Sequence, residues 1–170
     1  MPRNETTKLL VQQAIAQLKA TSAALAALKQ EMQSLAASLP EYPVVMEMFG
    51  VGSTLGPQFM AEIGDVRRFH SKKALVAFAG IDAPPCQSGQ MDIHSRDISK
   101  RGSAALRRTM FLVMGIYLQS APLDEPVYQF MDKKRSEGKP YKVYMMASAN
   151  KFLRIYYASV TAYLNTLAQI

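Results

Sequence analysis

A serine followed by a run of basic side chains is the pattern in this sequence that could carry out chemistry. Ser88 stands in the Ser-Gly dipeptide of "PPCQSGQ", and basic residues recur in the segment that follows. A serine hydroxyl can attack a phosphodiester, and guanidinium forks match the phosphate oxygens whose negative charge must be stabilised in that reaction. The pattern therefore fits strand transfer on DNA or RNA. The cations concerned are Arg96, Lys100, Arg101, Arg107 and Arg108.

The same residues also have ordinary structural explanations. Ser-Gly is a common turn dipeptide, and arginines along a helix are often simply solvated. The sequence has no Gly-x-Ser-x-Gly elbow and no Walker loop, and neither His70 nor His94 stands in a recognisable triad order. Asp92 and Asp97 would point to opposite faces of a regular strand, which is a poor arrangement for a Mg²⁺ pair. The residues by themselves leave catalysis by Ser88 open.

The charge of the chain favours an anionic partner. Its 170 residues carry a net charge of +7, and the sequence pI is about 9.6. Such a balance is typical of proteins that bind nucleic acid or a membrane surface. The excess of positive charge is concentrated in the C-terminal part, where a cluster of lysines and one arginine extends the basic surface toward DNA or RNA, unless it is merely solvated. That cluster comprises Lys133, Lys134, Arg135, Lys139 and Lys142.

Composition also limits the class of protein. A hydrophobic content of 49% is enough for an ordinary core. The single cysteine, Cys86, excludes an internal disulfide framework and indicates a reducing compartment. No signal peptide pattern follows Met1, and the longest apolar run, from Met110 to Leu118, is too short to span a bilayer. We therefore expect a cytoplasmic protein with no membrane partner.

Residues 1–40 follow a heptad pattern. From Val11 to Leu39 the positions recur at alternating steps of three and four, with Thr21 as the one polar member. This spacing predicts a coiled-coil helix, which Pro40 ends. Two arrangements stay open at this point: an amphipathic helix packed on the rest of the chain, or a coiled coil that pairs with another chain.

A glycine-rich turn follows, within about residues 44–64. Short helical stretches flank Gly50, Val51 and Gly52, which is the helix-hairpin-helix pattern. Glycines let the amides of such a turn approach a phosphate, and the N-terminus of the next helix adds a partial positive charge. The sequence therefore predicts contact with a phosphate backbone, although a purely structural turn has the same appearance.

The rest of the chain is predicted to form helices on both sides of one polar segment, residues 84–99. Ser71 is expected to cap a helix that ends at Gly80, and Ser103 to cap one that continues to about Ser120. Residues 84–99 alternate well enough to predict a short two-stranded β ribbon with Ser88 at its turn. Further helices are expected at about 127–136 and 143–167. The predicted fold is mainly α, with a coiled-coil helix at 1–40 and a second domain at 41–170 whose helical part covers 103–167.

Three ordered blocks carry a resemblance to a known family. They are "GVGSTLGPQFMAEIGDVRRFHSKKALVAFAGIDAPPCQSG", "ISKRGSAALRRTMFLVM" and "GKPYKVYMMASANKFLRIYYA". Together they resemble the C-terminal domain of the insertion-sequence 110/116/902 family of transposases, to which the Piv-type DNA invertases are related. The resemblance runs from about Tyr42 to Tyr157, and the preceding helix is similar to the coiled coil of that family.

The resemblance implies a composite recombination enzyme encoded by a mobile element. In that family a RuvC-like nuclease domain, whose carboxylates hold Mg²⁺, precedes the coiled coil and the transposase domain. The nucleophilic serine of the family falls on Ser88, and its attack would leave a covalent phosphoserine. Lys100 and Arg101 of "SKRG", with Arg107 and Arg108 of "LRR", would bind phosphate. Family members act as oligomers on DNA with a structured bridge RNA, so the resemblance implies DNA, RNA and a second copy of the chain as partners.

The chain differs from the family pattern in two respects. It begins at the coiled coil, so we expect a truncated or split form with no cofactor of its own and Mg²⁺ in a nuclease-like domain supplied in cis or in trans. In addition, "QMDIHSRD" carries Asp92 and Asp97 where the family is commonly basic. We predict a DNA-binding transposase domain that takes part in DNA transposition in a prokaryotic, nucleoid-associated setting. The alternative is a non-catalytic module, a remnant or regulator, that binds nucleic acid and oligomerises.

Overall fold

The computed structural model describes residues 3–83 and 97–169 of the chain. These residues form seven α-helices and one short 3₁₀ turn, Val66–Arg68, and within these ranges no residue belongs to a β-strand. The mainly α fold predicted from the sequence is therefore confirmed. The helices are α1 (Arg3–Ala37), α2 (Tyr42–Met46), α3 (Leu55–Ile63), α4 (Lys72–Ala79), α5 (Ala104–Ser120), α6 (Pro126–Ser136) and α7 (Tyr141–Leu167).

Capping side chains set the ends of α4 and α5. The Ser71 hydroxyl accepts a hydrogen bond from the Ala74 amide at the start of α4, and that helix ends at Gly80 with a φ of 65°. The Ser103 hydroxyl accepts from the Leu106 amide at 3.0 Å, so α5 begins where predicted. Each cap satisfies an amide that the first turn of a helix leaves without a partner.

The long helix α7 is the centre of the core. It buries a broad stripe of side chains from Tyr144 to Leu164, and it packs against α2, α4, α5 and α6. Phe59 of α3 contacts it through two edge-to-face ring pairs, with centroids 5.8 Å from Phe152 and 4.7 Å from Tyr156. Contacts with several helices therefore account for the many apolar residues of this helix.

Helix α1 meets the other helices only near its C-terminal end. Ala36 is 5% exposed, and the Gln33 side-chain amide donates to the Ser53 carbonyl at 2.8 Å. Residues 4–31 are all exposed, and the heptad leucines among them, such as Leu18 and Leu28, are 67% and 69% exposed. Among the residues that the structure describes, no side chains therefore cover the apolar stripe predicted from the sequence.

The predicted β ribbon at 84–99 falls mostly on residues 84–96, outside the described residues. Residues 97–99 are described and belong to no strand, so that part of the prediction is wrong. Ser99 and Lys100 each donate one backbone hydrogen bond to residues 80–82, which is too few for a ladder. Across the described residues, none of the helices combines the length and the apolar character that crossing a membrane requires.

Candidate functional site

Backbone hydrogen bonds join the two chain segments that flank residues 84–96. The amide of Lys100 donates to the Gly80 carbonyl at 3.0 Å, and the amide of Ser99 donates to the Asp82 carbonyl at 2.8 Å. The Ser99 hydroxyl also donates to the Asp82 carboxylate. We call this pairing of residues 78–82 with 99–103 the clasp. The clasp therefore holds the two ends of the segment that contains Ser88 close together.

Two glycines allow the clasp to close. Gly80 has a φ of 65° and Gly102 a φ of 98°, and both angles lie in the region that side chains rarely adopt. A Cβ on Gly80 would overlap the Arg101 carbonyl oxygen, and one on Gly102 would overlap the Phe78 carbonyl oxygen. Lys100, between them, takes a φ of 53° despite its side chain. The backbone approach at the clasp is therefore too close for other residues at the two glycine positions.

Side chains at the start of α5 tie the clasp to the helices around it. One Arg107 guanidinium nitrogen, Nη1, donates to the Ala79 carbonyl at 3.0 Å, at the end of α4. The Ser103 amide donates to the Phe78 carbonyl at 2.7 Å. The Ser103 hydroxyl donates to the Glu62 carboxylate of α3 at 2.9 Å. The first turn of α5 thereby holds a fixed position relative to α3 and α4.

A pocket of about 750 Å³ opens beside the clasp. Its cations come from three parts of the chain: Lys100 from the clasp, Arg107 and Arg108 from α5, and Lys142 from α7. Asp97 is the one carboxylate among the described lining residues. We call this cavity the basic pocket. Its apolar lining includes Ile81, Ile98, Phe111, Val143 and Met146.

A second, smaller cavity continues from the basic pocket along α7. It measures about 490 Å³ and shares Ala147 and Asn150 with the basic pocket. Lys151 and Arg154 add positive charge there, with the Lys151 ammonium 5.1 Å from the centroid of the Phe130 ring and donating to the Pro126 carbonyl at 2.7 Å. Together the two cavities form a basic groove across one face of α7.

The described residues offer no metal centre. Within residues 3–83 and 97–169, no three side chains of His, Cys, Asp or Glu come together as ligands. Asp97 is the acidic residue of the basic pocket, and a single carboxylate does not meet the needs of Mg²⁺, which takes octahedral oxygen coordination.

Comparison with known proteins identifies the family. The family model described as "Transposase IS116/IS110/IS902 family" matches residues 42–129, more than half of the chain. The chain belongs to the IS116/IS110/IS902 transposase family. The match covers α2 to α5, the clasp and the start of α6, so the clasp and the first turns of α5 that line the basic pocket lie within the family domain.

Two curated relatives align with this transposase-family chain. The "Insertion element IS900 uncharacterized 42 kDa protein" of Mycobacterium paratuberculosis is 28% identical over 116 residues, which is 68% of this chain and 28% of that protein. The "Putative transposase y4rJ" of Sinorhizobium fredii (strain NBRC 101917 / NGR234) is 30% identical over 89 residues, which is 50% of this chain and 22% of that protein. The aligned part thus spans less than a third of either relative.

The structure brings some of the transposase site residues predicted from the sequence into one pocket and leaves others apart. Lys100, Arg107 and Arg108 line the basic pocket, whereas Arg101 is exposed in the clasp and does not line it. Lys139 is exposed in the turn between α6 and α7, where its amide donates to the Lys134 carbonyl. Two predicted residues, Ser88 and Arg96, lie outside the described residues.

The glycine turn of the predicted helix-hairpin-helix does not line the basic pocket. Val51 is 4% exposed, and its amide donates to the Met48 carbonyl at 3.2 Å. Gly50, with a φ of 78°, packs so closely on α5 that a Cβ would lie 3.2 Å from Val113. Gly52 is exposed, and it is the member of the turn that a phosphate could reach. Phosphate contact by this turn stays a prediction.

Sequence reasoning missed the residues that α7 contributes to the groove. Asn150, Lys151 and Arg154 line one or both cavities, and Phe111 of α5 lines the basic pocket. Their spacing on α7 was the available signal, because residues three and four apart share a helix face. The many apolar residues around them in the sequence obscure that signal.

Proposed function

We propose that this chain is the strand-transfer part of a transposase, which holds DNA phosphates in the basic pocket and attacks one of them with Ser88. The convergence of Lys100, Arg107, Arg108 and Lys142 at the clasp supports this function. The clasp begins and ends the segment that carries Ser88, so the serine of the family motif is connected at both ends to the wall of the pocket.

Charge and geometry suit a phosphodiester. Four cations face one carboxylate among the described lining residues, and two of the cations are arginines whose planar forks match phosphate oxygens. Arg107 already donates one N–H to the Ala79 carbonyl, which fixes its orientation and leaves further donors of the guanidinium for a ligand. Orientation fixed in advance favours stabilisation of charge that develops during the reaction.

The proposed step exchanges one ester bond for another. The Ser88 hydroxyl oxygen forms a bond to the phosphorus, the bond between that phosphorus and one deoxyribose oxygen breaks, and the proton released by the serine ends on the leaving hydroxyl. The resulting phosphoserine keeps the ester linkage available for rejoining to another strand. The pocket cations would stabilise the negative charge on the non-bridging oxygens throughout.

The uncovered stripe of α1 supports a second element of the proposal, pairing with α1 of another copy. Val11, Leu18, Leu25 and Leu28 are all more than half exposed and lie in one heptad register. The hydroxyl of Thr21, the polar member of the stripe, donates to the Gln17 carbonyl at 2.8 Å within the same helix. Because this hydroxyl is hydrogen-bonded within its own helix, it can be buried in an apolar interface without losing a hydrogen bond.

DNA binding is tested by the salt dependence of affinity. Purified chain is titrated with labelled DNA at several salt concentrations, as wild type and as Arg108→Ala and Lys142→Ala. Each variant is expected to bind more weakly and to lower the slope of log affinity against log salt by about 0.9, the contribution of one phosphate contact. Lys73→Ala, an equal loss of charge at an exposed position of α4 outside the pocket, is the matched control. Equal slopes in all four proteins would contradict phosphate binding by the pocket.

Strand transfer is tested by adduct formation. The chain is combined with a RuvC-like nuclease domain of the family, Mg²⁺, a matching bridge RNA and labelled DNA, and covalent protein–DNA product is resolved on a denaturing gel. Ser88→Ala is expected to abolish the adduct, whereas Ser95→Ala, a second serine of the same segment, is expected to retain it. An adduct that survives Ser88→Ala would refute the assignment of the nucleophile. DNA binding without any adduct in the wild type would favour the non-catalytic module.

Pairing through α1 is tested by sedimentation. Leu25→Glu puts a charge into the stripe, and Ala26→Glu puts the same charge at the next position, which is exposed but outside the heptad seam. We expect the wild type and Ala26→Glu to share one oligomeric state and Leu25→Glu to sediment as a smaller species. A monomeric wild type would contradict this part of the proposal.

A further inference from the structure

The basic pocket has more apolar surface than the binding of a phosphate alone would require. Beside its cations the pocket is lined by Ile81, Ile98, Phe111, Val143 and Met146. Phosphate groups are recognised by charge and hydrogen bonds, and an apolar wall next to water costs free energy unless something covers it. The lining therefore indicates a ligand that has an apolar face as well as a phosphate.

An aromatic ring is available at the mouth of the pocket. Phe111 of α5 is 38% exposed, and its ring is 6.1 Å from that of Tyr141 in an edge-to-face arrangement. Val143 of α7, which is 48% exposed, also lines the pocket. A flat aromatic group placed here would stack on Phe111 and cover apolar surface that is otherwise exposed.

Size and polar groups narrow the ligand to a nucleotide. A volume of about 750 Å³ falls in the range of pockets that enclose one small molecule. Asn150 lines the pocket on α7 and presents both a donor and an acceptor, which is the combination that reads the edge of a base. Arg107, Arg108 and Lys142 lie in the same cavity and suit the phosphates on either side of that base.

We propose that the basic pocket takes one unstacked nucleobase against Phe111 while its cations hold the adjoining phosphates. A base inside an intact duplex has both faces covered by its neighbours, so stacking on protein requires a single-stranded or extruded nucleotide. The substrate class at this site is therefore DNA with an exposed base next to the attacked phosphate. This inference rests on the proposed function and specifies the DNA conformation that it uses.

The test compares matched oligonucleotides and matched variants. Single-stranded DNA with a normal base at one central position, and the same strand with an abasic site there, are titrated against the full chain at low salt. Wild type is expected to prefer the strand with the base by about tenfold, the scale of one base–aromatic stack. Phe111→Ala is expected to lose that preference. Leu112→Ala, the loss of a neighbouring side chain that is 46% exposed and does not line the pocket, is expected to keep it.

The outcomes separate this inference from the function on which it rests. If Phe111→Ala keeps the wild-type preference for the base while Arg108→Ala weakens binding, the base site is refuted and phosphate binding stands. If the wild type binds no DNA at low salt, both are refuted. Tighter, Phe111-dependent binding of RNA of the same sequence would assign the pocket to RNA and overturn the choice of DNA.

Discussion

Replacing Gly80 with alanine is expected to open the clasp. A Cβ at this position would overlap the Arg101 carbonyl oxygen and lie 2.8 Å from the Arg107 guanidinium nitrogen. The backbone would have to separate, which would break the hydrogen bond from the Lys100 amide to the Gly80 carbonyl and displace the one from Arg107 to Ala79. The substitution therefore acts on stability and on the basic pocket together.

The loss of unfolding free energy expected for Gly80→Ala has two parts, backbone strain and steric overlap. Gly138→Ala isolates the strain. That glycine also has a positive φ, 73°, but a Cβ there would meet nothing within 4 Å. Gly138→Ala should cost only the conformational strain, about 1–2 kcal/mol. Gly80→Ala adds the loss of a neutral hydrogen bond and of one from a charged donor, together about 2–4 kcal/mol. The expected total for Gly80→Ala is therefore about 3–6 kcal/mol.

The assay is urea unfolding followed by tyrosine fluorescence. The sequence has no tryptophan, and its eight tyrosines all lie C-terminal to α1, so the signal reports the helices around α7 rather than the exposed α1. Gly80→Ala should lower the free energy of unfolding by at least about 2 kcal/mol more than Gly138→Ala. If it remains folded, it should also bind DNA more weakly. A cost equal to that of Gly138→Ala would refute the close approach at the clasp.

Four further substitutions test the packing of the core and the backbone of the clasp. Ser148→Ala should raise the free energy of unfolding by about 1 kcal/mol, because that buried hydroxyl has no hydrogen-bond partner within the described residues, and a lower urea midpoint would contradict this. Burial, with a smaller effect of nearby carboxylates, raises the pKa values of Tyr117 and Tyr156 above their usual range. Their contribution to stability is therefore complete below about pH 10, where an unfolded tyrosine ionises, and is lost as the pH rises further. Tyr117→Phe should make the free energy of unfolding, measured by urea titration, fall less steeply above about pH 10. The same steepness as in the wild type would contradict the burial of the Tyr117 hydroxyl. Lys100→Gly should relieve the strain of a φ of 53° and stabilise the fold by up to about 1 kcal/mol while weakening DNA binding, whereas Lys100→Ala should weaken binding with no gain in stability.

Local chemistry explains which parts of the fold could be predicted from the sequence. The ends of α4 and the start of α5 depend on Ser71, Gly80 and Ser103, whose capping roles involve only neighbouring residues. These boundaries were predicted correctly because the information lies within one turn of helix. The existence of α6 and α7 followed in the same way from punctuation by proline and glycine.

Contacts between distant parts of the chain could not be read from the sequence. The clasp joins Gly80 to Lys100 across residues 84–96, and no periodicity indicates which carbonyl meets which amide. The basic groove is another case, because Arg154 joins it only through the packing of α7 beside α5 and α6. Val51 is a third case, since the sequence does not reveal that its side chain lies in the core, 4% exposed.

The most direct test of serine strand transfer is to locate the DNA on the protein. A nicked DNA substrate that releases its leaving strand would trap the covalent product in the assembled reaction, and nuclease and trypsin digestion would leave a short nucleotide on one peptide. We expect the nucleotide on the peptide of residues 74–96, with fragment masses that place it on Ser88. A nucleotide on Ser95 or on any other residue, or cleaved DNA with no modified peptide, would contradict the account.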